Sequence, residues 1–161
     1  MSTAGQPGDL GTRFLARIID GVLVGIVSGV VFGILGVTAW GIGGRSGSYF
    51  LSVLSTIAST ALALGYYAFM ESSRGQTVGK MLLKLRVQNS EGRNPTLEQA
   101  LRRNSWIALS LIGILPILGG FIGGLASLAA VIYIAVTINS DTVTRRGWHD
   151  QFGGTRVVRT A

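Results

Sequence analysis

Residues 104–140, NSWIALSLIGILPILGGFIGGLASLAAVIYIAVTINS, contain no Asp, Glu, Lys, Arg or His. As one straight α-helix this stretch would measure about 55 Å, whereas the hydrocarbon core of a bilayer is about 30 Å thick. The stretch must therefore break, and Pro116 with the glycines that follow it supplies the residues at which helices end. We predict a short segment at residues 105–118 and a full span at residues 121–139. The glycines at the predicted break are Gly119, Gly120, Gly123 and Gly124.

Two earlier stretches, residues 21–42 and 49–70, also lack charged side chains, and each is long enough for a helix of about 33 Å. Residues 43–48 form a short connection, so we predict a helical hairpin with spans at about residues 18–42 and 49–70. The composition agrees, because 48% of the 161 residues are hydrophobic and 13% are charged, against roughly a quarter charged in soluble domains. The predicted fold class is an all-α integral membrane protein, a helical bundle of three to four membrane segments.

The charged residues lie between these stretches and predict the topology. With an even number of crossings, the N-terminal residues, the loop 71–104 and the tail 141–161 share one side, and that side holds every Lys and Arg except Arg45. Positive charge accumulates on the cytoplasmic side of membrane proteins. We therefore expect a multi-pass protein of the cell (inner or plasma) membrane with both termini in the cytoplasm. An even count requires the third segment to cross, whereas its length alone leaves crossing, re-entry and an interfacial position open.

The loop and the tail each contain a candidate strand. Residues 83–88 alternate apolar and polar side chains, the pattern of a strand with one buried face. Residues 154–159 offer a partner, and an isolated strand is seldom stable. Residues 96–99, TLEQ, have the spacing of a capping box, which predicts the start of a helix. We expect these elements to form a small, basic cytosolic β cap, with residues 1–10 disordered.

Several kinds of active site are excluded by the residue types. The chain has no cysteine and a single histidine, His149, so disulfides, thiol catalysis and ordinary His/Cys zinc sites are excluded. Residues 75–80, GQTVGK, lack the glycine spacing and the following Ser or Thr of a phosphate loop. No nucleophile motif accompanies His149 and Asp150. We expect no catalytic residue, no metal site, no cofactor and no enzymatic activity.

Four short motifs, in this order along the chain, resemble those of a known family. They are RFLARIID at 13–20, GQTVGKMLLKLRV at 75–87, LRRN at 101–104 and GWHDQFGGTRVV at 147–158. Together they resemble the RDD family of small multi-span membrane proteins, whose name refers to one arginine and two aspartates. The resemblance implies a single membrane domain over residues 11–160, with Arg13, Asp20 and Asp150 as the signature residues. Some members resemble sodium/proton antiporters, and others are domains of larger assemblies.

The signature residues support two hypotheses. In the first, Asp150 docks against Arg13, Arg17 pairs with Asp20 at i,i+3, and the charges hold the chain together. The protein is then a scaffold or accessory subunit of a membrane assembly. In the second, Asp20 is an ion or proton site with Asp150 as a second carboxylate, and the protein is a small cation/proton antiporter of the Na⁺/H⁺ type, or a component of one.

Two further features predict partners. A stripe of glycines at four-residue spacing permits close helix packing, either against the second span at Ser55, Ser59 and Ala63 or against another copy of the chain or a membrane-protein partner. The stripe consists of Gly21, Gly25, Gly29 and Gly33. The basic loop is expected to meet the headgroups of membrane lipids, and not nucleic acid, because no aromatic residues are interleaved with its charges. Its predicted lipid-facing residues are Lys80, Lys84, Arg86, Arg102 and Arg103.

Overall fold

A computed structural model of the full chain describes residues 5–33 and 49–160. Helix α1 has the bounds Leu10–Arg74, of which the structure describes a first arm, Leu10–Gly33, and a second arm, Tyr49–Arg74. The hydroxyl of Tyr66 donates to Asp20 Oδ1 at 2.8 Å, although these residues would lie about 70 Å apart on a straight helix. The chain therefore reverses direction between the two arms, as the predicted hairpin requires. The predicted connection at residues 43–48 lies outside the described residues.

The remaining elements are three short elements after the second arm, the third segment with the long helix that follows it, and two short elements in the tail. In chain order they are α2 (Val78–Leu82), β1 (Leu85–Asn89), α3 (Leu97–Asn104), a 3₁₀ helix (Ser105–Ile114), α4 (Gly119–Ser140), α5 (Trp148–Phe152) and β2 (Thr155–Arg159). The two arms and α4 are each long and apolar enough to cross a membrane, with mean hydropathies of 2.0, 1.4 and 2.2. The predicted fold class is confirmed. The first arm begins eight residues before the predicted span, because Asp9 caps it by accepting from the Thr12 amide.

The third segment is short, as predicted, and it runs beside the second arm. Ten residues of 3₁₀ helix measure about 20 Å at 2 Å per residue, less than a bilayer core. Its partners follow the second arm from one end to the other. Asn104 Nδ2 donates to Glu71, Thr60 Oγ1 and Ser110 Oγ lie 2.8 Å apart, and the Tyr49 hydroxyl donates to the carbonyl of Ile114. The segment thus lies along the arm and not across its end.

The break before α4 involves Pro116 but not the glycines. Leu115 has an extended backbone and Ile117 a positive φ of 69°, whereas the four predicted break glycines lie inside α4. A Cβ on Gly119 would lie 2.4 Å from the carbonyl oxygen of Ile112, and one on Gly123 would lie 3.1 Å from a backbone nitrogen of the 3₁₀ helix. These two glycines therefore allow α4 to pack closely on the 3₁₀ helix, and the prediction that they break the helix is wrong.

The cap is a two-stranded antiparallel sheet that packs on the start of the first arm. Strand β1 pairs with β2 in the register Leu85↔Arg159 and Val87↔Val157, which confirms the predicted pairing. Ala16 of the first arm completes a core with Leu85, Val87 and Val157, all at most 1% exposed. The strand starts later than predicted, since Lys84 has a positive φ of 54°. The loop and the tail thus form one folded unit with the start of the first arm.

The N-terminal residues are part of the cap. The amides of Gly5 and Gly8 donate to the carbonyls of Arg159 and Val157, and Arg159 donates back to Gln6. This differs from the predicted disorder of residues 1–10, because β2 offers a free edge that residues 5–8 occupy. Residues 1–4 lie outside the described part of the chain. The N-terminal segment, the loop and the tail therefore meet in one folded unit, and the even count of crossings stays a prediction.

The glycine stripe of the first arm faces away from the second arm. At Gly21, Gly25, Gly29 and Gly33, an added Cβ would meet no atom within 4 Å among the described residues. The predicted intramolecular contact with Ser55, Ser59 and Ala63 is therefore wrong. The side chains that join the two arms instead lie on the face of Asp20, one residue before the stripe begins.

Candidate functional site

Seven charged side chains from five helical segments, the two arms of α1 and three shorter helices, meet beneath the cap, and we call them the charged cluster. The first arm contributes three of them, and the second arm, α2, α3 and α5 contribute one each. Its members are Arg13, Arg17, Asp20, Glu71, Lys80, Arg103 and Asp150. All three carboxylates are completely buried. Since a buried charge is costly unless it is paired, the partners of each carboxylate determine what the cluster can do.

Arg13 and Asp150 form the contact that the sequence predicted. Arg13 Nη1 lies 2.8 Å from Asp150 Oδ2, and the two side chains are 8% and 0% exposed. The same guanidinium donates to the carbonyls of Gly8 and Val157. One arginine of the first arm therefore holds α5, β2 and the N-terminal segment. The positions are 137 residues apart in sequence.

Asp150 has a second cationic partner in Arg103, whose Nη1 lies 2.9 Å from Oδ1. Burial alone would raise the pKa of Asp150, but Arg103 and Arg13 hold this pKa at about 2. The neighbouring His149 is also buried, and burial lowers its pKa to about 4. At neutral pH the carboxylate is therefore ionised and the imidazole is uncharged.

Glu71 is the carboxylate around which a second group of partners in the charged cluster gathers. Lys80 Nζ lies 2.7 Å from Oε1, Asn104 Nδ2 donates to Oε2 at 2.9 Å, and Arg103 Nε lies 3.5 Å from Oε2. Arg103 thus lies between Glu71 and Asp150. Sequence reasoning missed Glu71 and Asn104 as site residues. The available signals were the position of Glu71, directly after the second apolar run, and of Asn104 in the LRRN motif.

The lipid-facing prediction for the basic loop is wrong for two of its residues. Lys80 and Arg103 are 7% and 5% exposed, because both are drawn into the cluster by Glu71. Burial lowers the pKa of Lys80, and the Glu71 carboxylate opposes that shift. Lys84 and Arg102 are exposed, and Arg86 is half-buried with a hydrogen bond to Asn94.

Asp20 is bonded only to neutral donors among the described residues. Its Oδ1 accepts from the Tyr66 hydroxyl and from the Gly79 amide, both at 2.8 Å, and its Oδ2 accepts from the Thr77 hydroxyl at 2.6 Å. The carboxylate thus fixes the start of α2 against both arms. Glycine is required at position 79, because a Cβ there would lie 2.2 Å from the carbonyl oxygen of Ala16.

Arg17 is not paired with Asp20, contrary to the prediction. Its guanidinium carbon lies 3.6 Å from the ring centroid of Tyr67 and 4.8 Å from that of Trp106, and Nη1 donates to Asn104 Oδ1 at 3.2 Å. Asp20 already accepts three hydrogen bonds, so the stacked position between two aromatic rings is the available one. Within residues 5–33 and 49–160, Arg17 forms no ion pair.

A cavity of about 520 Å³ lies next to the cluster. Its walls combine residues of the first arm, α3 and the 3₁₀ helix with one face of α4. The polar part of the lining includes Arg13, Arg17, Lys80, Arg103, Asn104 and His149. The part from α4 is apolar and consists of Val131, Ile132, Ile134, Ala135 and Ile138. In the described ranges, no three His, Cys, Asp or Glu side chains are grouped so that they could hold a metal ion.

A protein family model matches nearly the whole chain. The family model described as the RDD family matches residues 7–154. That range includes all seven residues of the charged cluster, among them the signature residues Arg13, Asp20 and Asp150. No curated protein and no solved structure gives a significant match. The chain, with its candidate membrane helices and its buried signature charges, belongs to the RDD family.

Proposed function

We propose that this RDD family chain is a membrane-embedded scaffold or accessory subunit of a membrane assembly and has no catalytic role. The observation that carries the proposal is that every carboxylate of the charged cluster bonds to groups from other elements. Asp20 bonds to the second arm and α2, Glu71 to α2 and α3, and Asp150 to the first arm and α3. Such an arrangement holds the cap rigidly on the membrane helices.

The energetics support a structural role for these charges. Removing one partner of a buried ion pair costs about 3–5 kcal/mol, because the other charge is left buried without compensation. Arg103 has two carboxylate partners, Glu71 and Asp150, so its removal leaves both of them short of a cation. A rigid cap of this kind presents a constant surface to a partner, which is what a scaffold or accessory subunit requires.

The antiporter alternative places different demands on the same residues. A carboxylate that carries a cation or proton must exchange its partners during each cycle. Asp20 would have to release Tyr66, Thr77 and the Gly79 amide, and so detach the start of α2. Glu71 and Asp150 would each have to leave two cations. The contacts therefore favour the scaffold role.

Two measurements test the proposal. In proteoliposomes, ²²Na⁺ and proton flux should stay at the background of empty vesicles for both the wild type and Asp20→Asn. Flux that the wild type supports and Asp20→Asn abolishes would establish transport instead. In mild detergent, the complex extracted from native membranes should have a constant mass well above the 16.9 kDa of the chain. Extraction as a single chain from cross-linked membranes would contradict the accessory role.

A further inference from the structure

The charged cluster contains one more cation than carboxylates. Arg13, Lys80 and Arg103 each contact a carboxylate of the cluster, whereas Arg17 contacts two aromatic rings and an amide oxygen. His149 is uncharged at neutral pH because burial lowers its pKa to about 4. A cationic side chain inside a membrane-spanning bundle normally has an anionic partner. Arg17 therefore lacks, within the described residues, the partner that its location calls for.

Among the described residues, the Arg17 side chain donates one hydrogen bond, from Nη1, which leaves other N–H groups for such a partner. Tyr67 and Trp106 lie near the guanidinium, and Asn104 accepts one hydrogen bond from Nη1. A guanidinium has five N–H donors in a planar fork, which suits the oxygens of a phosphate. Arg17 is half-buried and lines the cavity of about 520 Å³. An anion in this cavity can therefore reach the edge of the guanidinium.

The remaining walls of the cavity identify the kind of anion. The face contributed by α4 is apolar, and both α4 and the first arm are candidate membrane spans. A free inorganic anion would gain nothing from Val131, Ile134 and Ala135. A molecule with a phosphate and a hydrocarbon chain would satisfy Arg17 and the apolar wall together. The excess of one positive charge favours a lipid with a net negative charge over a zwitterionic one.

We propose that the cavity between the first arm and α4 is a binding site for an acidic glycerophospholipid from the leaflet on the side of the cap. Arg17 binds the lipid phosphate, and the acyl chain lies against Ile134 and Ala135 of α4. The site is distinct from the exposed basic surface of the loop, where Lys84 and Arg102 lie. It does not depend on the scaffold proposal, because a transporter would hold the same lipid.

Native mass spectrometry of the chain in mild detergent tests the site. Phosphatidylglycerol and phosphatidylcholine with identical acyl chains are the two lipid probes, and glycerol phosphate and inorganic phosphate are the soluble ones. We expect one bound phosphatidylglycerol with a Kd at least about tenfold below that of phosphatidylcholine, an order of magnitude typical of one added charge contact. Equal affinity for the two lipids, or displacement by either soluble probe, would overturn the proposal.

Three variants locate the binding. Arg17→Gln removes the cation, and Ala135→Phe fills the cavity while all charges remain; each should weaken phosphatidylglycerol binding at least about tenfold. Arg102→Gln is the matched control, since Arg102 is an exposed arginine on α3 that pairs with Glu98. It should bind the lipid as the wild type does. Thermal unfolding in detergent identifies the variants that remain folded. Should Arg17→Gln fail to fold, the binding measured for Ala135→Phe tests the proposal. The site would be refuted if folded Arg17→Gln or Ala135→Phe bound phosphatidylglycerol as tightly as the wild type. It would also be refuted if Arg102→Gln lost as much affinity as these two variants.

Discussion

Arg103 of α3 and Asp150 of α5 form a buried ion pair, with 2.9 Å between Nη1 and Oδ1 and side chains 6% and 0% exposed. Because Arg103 also approaches Glu71, this single arginine joins the tail of the chain to the second arm. Arg103 is not one of the three signature residues, yet it contacts two carboxylates of the charged cluster, Glu71 and Asp150.

Arg103→Gln should be among the most destabilising substitutions in the cap. It leaves two buried carboxylates short of a partner, so we expect a loss of about 3–5 kcal/mol in the free energy of unfolding. The neighbouring Arg102 is 57% exposed, and among the described residues its ion pair is with Glu98, so Arg102→Gln should change stability by less than about 1 kcal/mol. Denaturant titrations of both variants in detergent provide the comparison. Equal effects would show that the buried pairs do not hold the cap.

Asp20→Asn should loosen α2 specifically. An amide has one oxygen acceptor and cannot replace a carboxylate that accepts from Tyr66, Thr77 and Gly79. Hydrogen exchange should therefore rise at the backbone amide of Gly79 while that of β1 changes less. Asp141→Asn is the control, because the donors to the Asp141 carboxylate among the described residues all come from its own turn. Unchanged exchange at Gly79 would argue against this role of Asp20.

Gly79 and Gly25 should respond oppositely to alanine. A Cβ at position 79 would lie 2.2 Å from the Ala16 carbonyl oxygen, and one at position 25 would meet nothing within 4 Å in the described residues. We expect Gly79→Ala to cost at least about 1–3 kcal/mol and Gly25→Ala to be neutral or slightly stabilising. Thermal unfolding in detergent distinguishes them. A large loss at position 25 would indicate that the stripe is packed in the isolated chain.

The stability of the cap should fall in mild acid because of His149. Burial lowers the pKa of His149 from 6.5 to about 4, so the unfolded chain binds a proton more readily than the folded chain does. The contribution of the uncharged imidazole is complete above pH 6.5 and is lost as the pH falls toward 4. This predicts a loss of about 2 kcal/mol between pH 7.5 and 5. The expected measurement is unfolding by denaturant at both pH values.

The chain has a single histidine, so His149→Gln isolates this effect. The variant should lose most of the dependence on pH between 7.5 and 5. Asp150 acts at lower pH, because its pKa of about 2 lies below the ordinary 3.8 and its contribution is lost only as the pH falls below about 4. An unchanged slope in His149→Gln would assign the acid sensitivity to another group.

Much of the fold followed from the distribution of charge and hydrophobicity. Long uncharged runs predict the membrane segments, and the period-2 pattern at residues 83–88 predicts a strand for which the tail offers a partner. These features depend on local composition, which a sequence displays directly. The packing face of the first arm could not be predicted from the sequence. Glycines at regular spacing indicate where another helix can approach closely, but they do not identify that helix.

The partners of the cluster were harder to predict than its members. Arg13 and Asp150 were paired correctly from the family motif, but Arg17 was assigned to Asp20 because the two lie at i,i+3 on one helix. Tertiary contacts from Thr77 and Tyr66 occupy Asp20 instead. The sequence predicts that Lys80 faces lipid headgroups and does not reveal its burial, because that burial depends on Glu71 and on the close approach that Gly79 allows.

The separation of Arg13 and Asp150 by 137 residues imposes an order on biogenesis. The ribosome delivers the first arm to the translocation machinery long before Asp150 has been synthesised. During that interval Arg13 lacks the carboxylate with which it pairs in the folded chain. Closure of the cap through this ion pair is consequently a late event in synthesis, and a nascent chain halted before residue 150 would lack it.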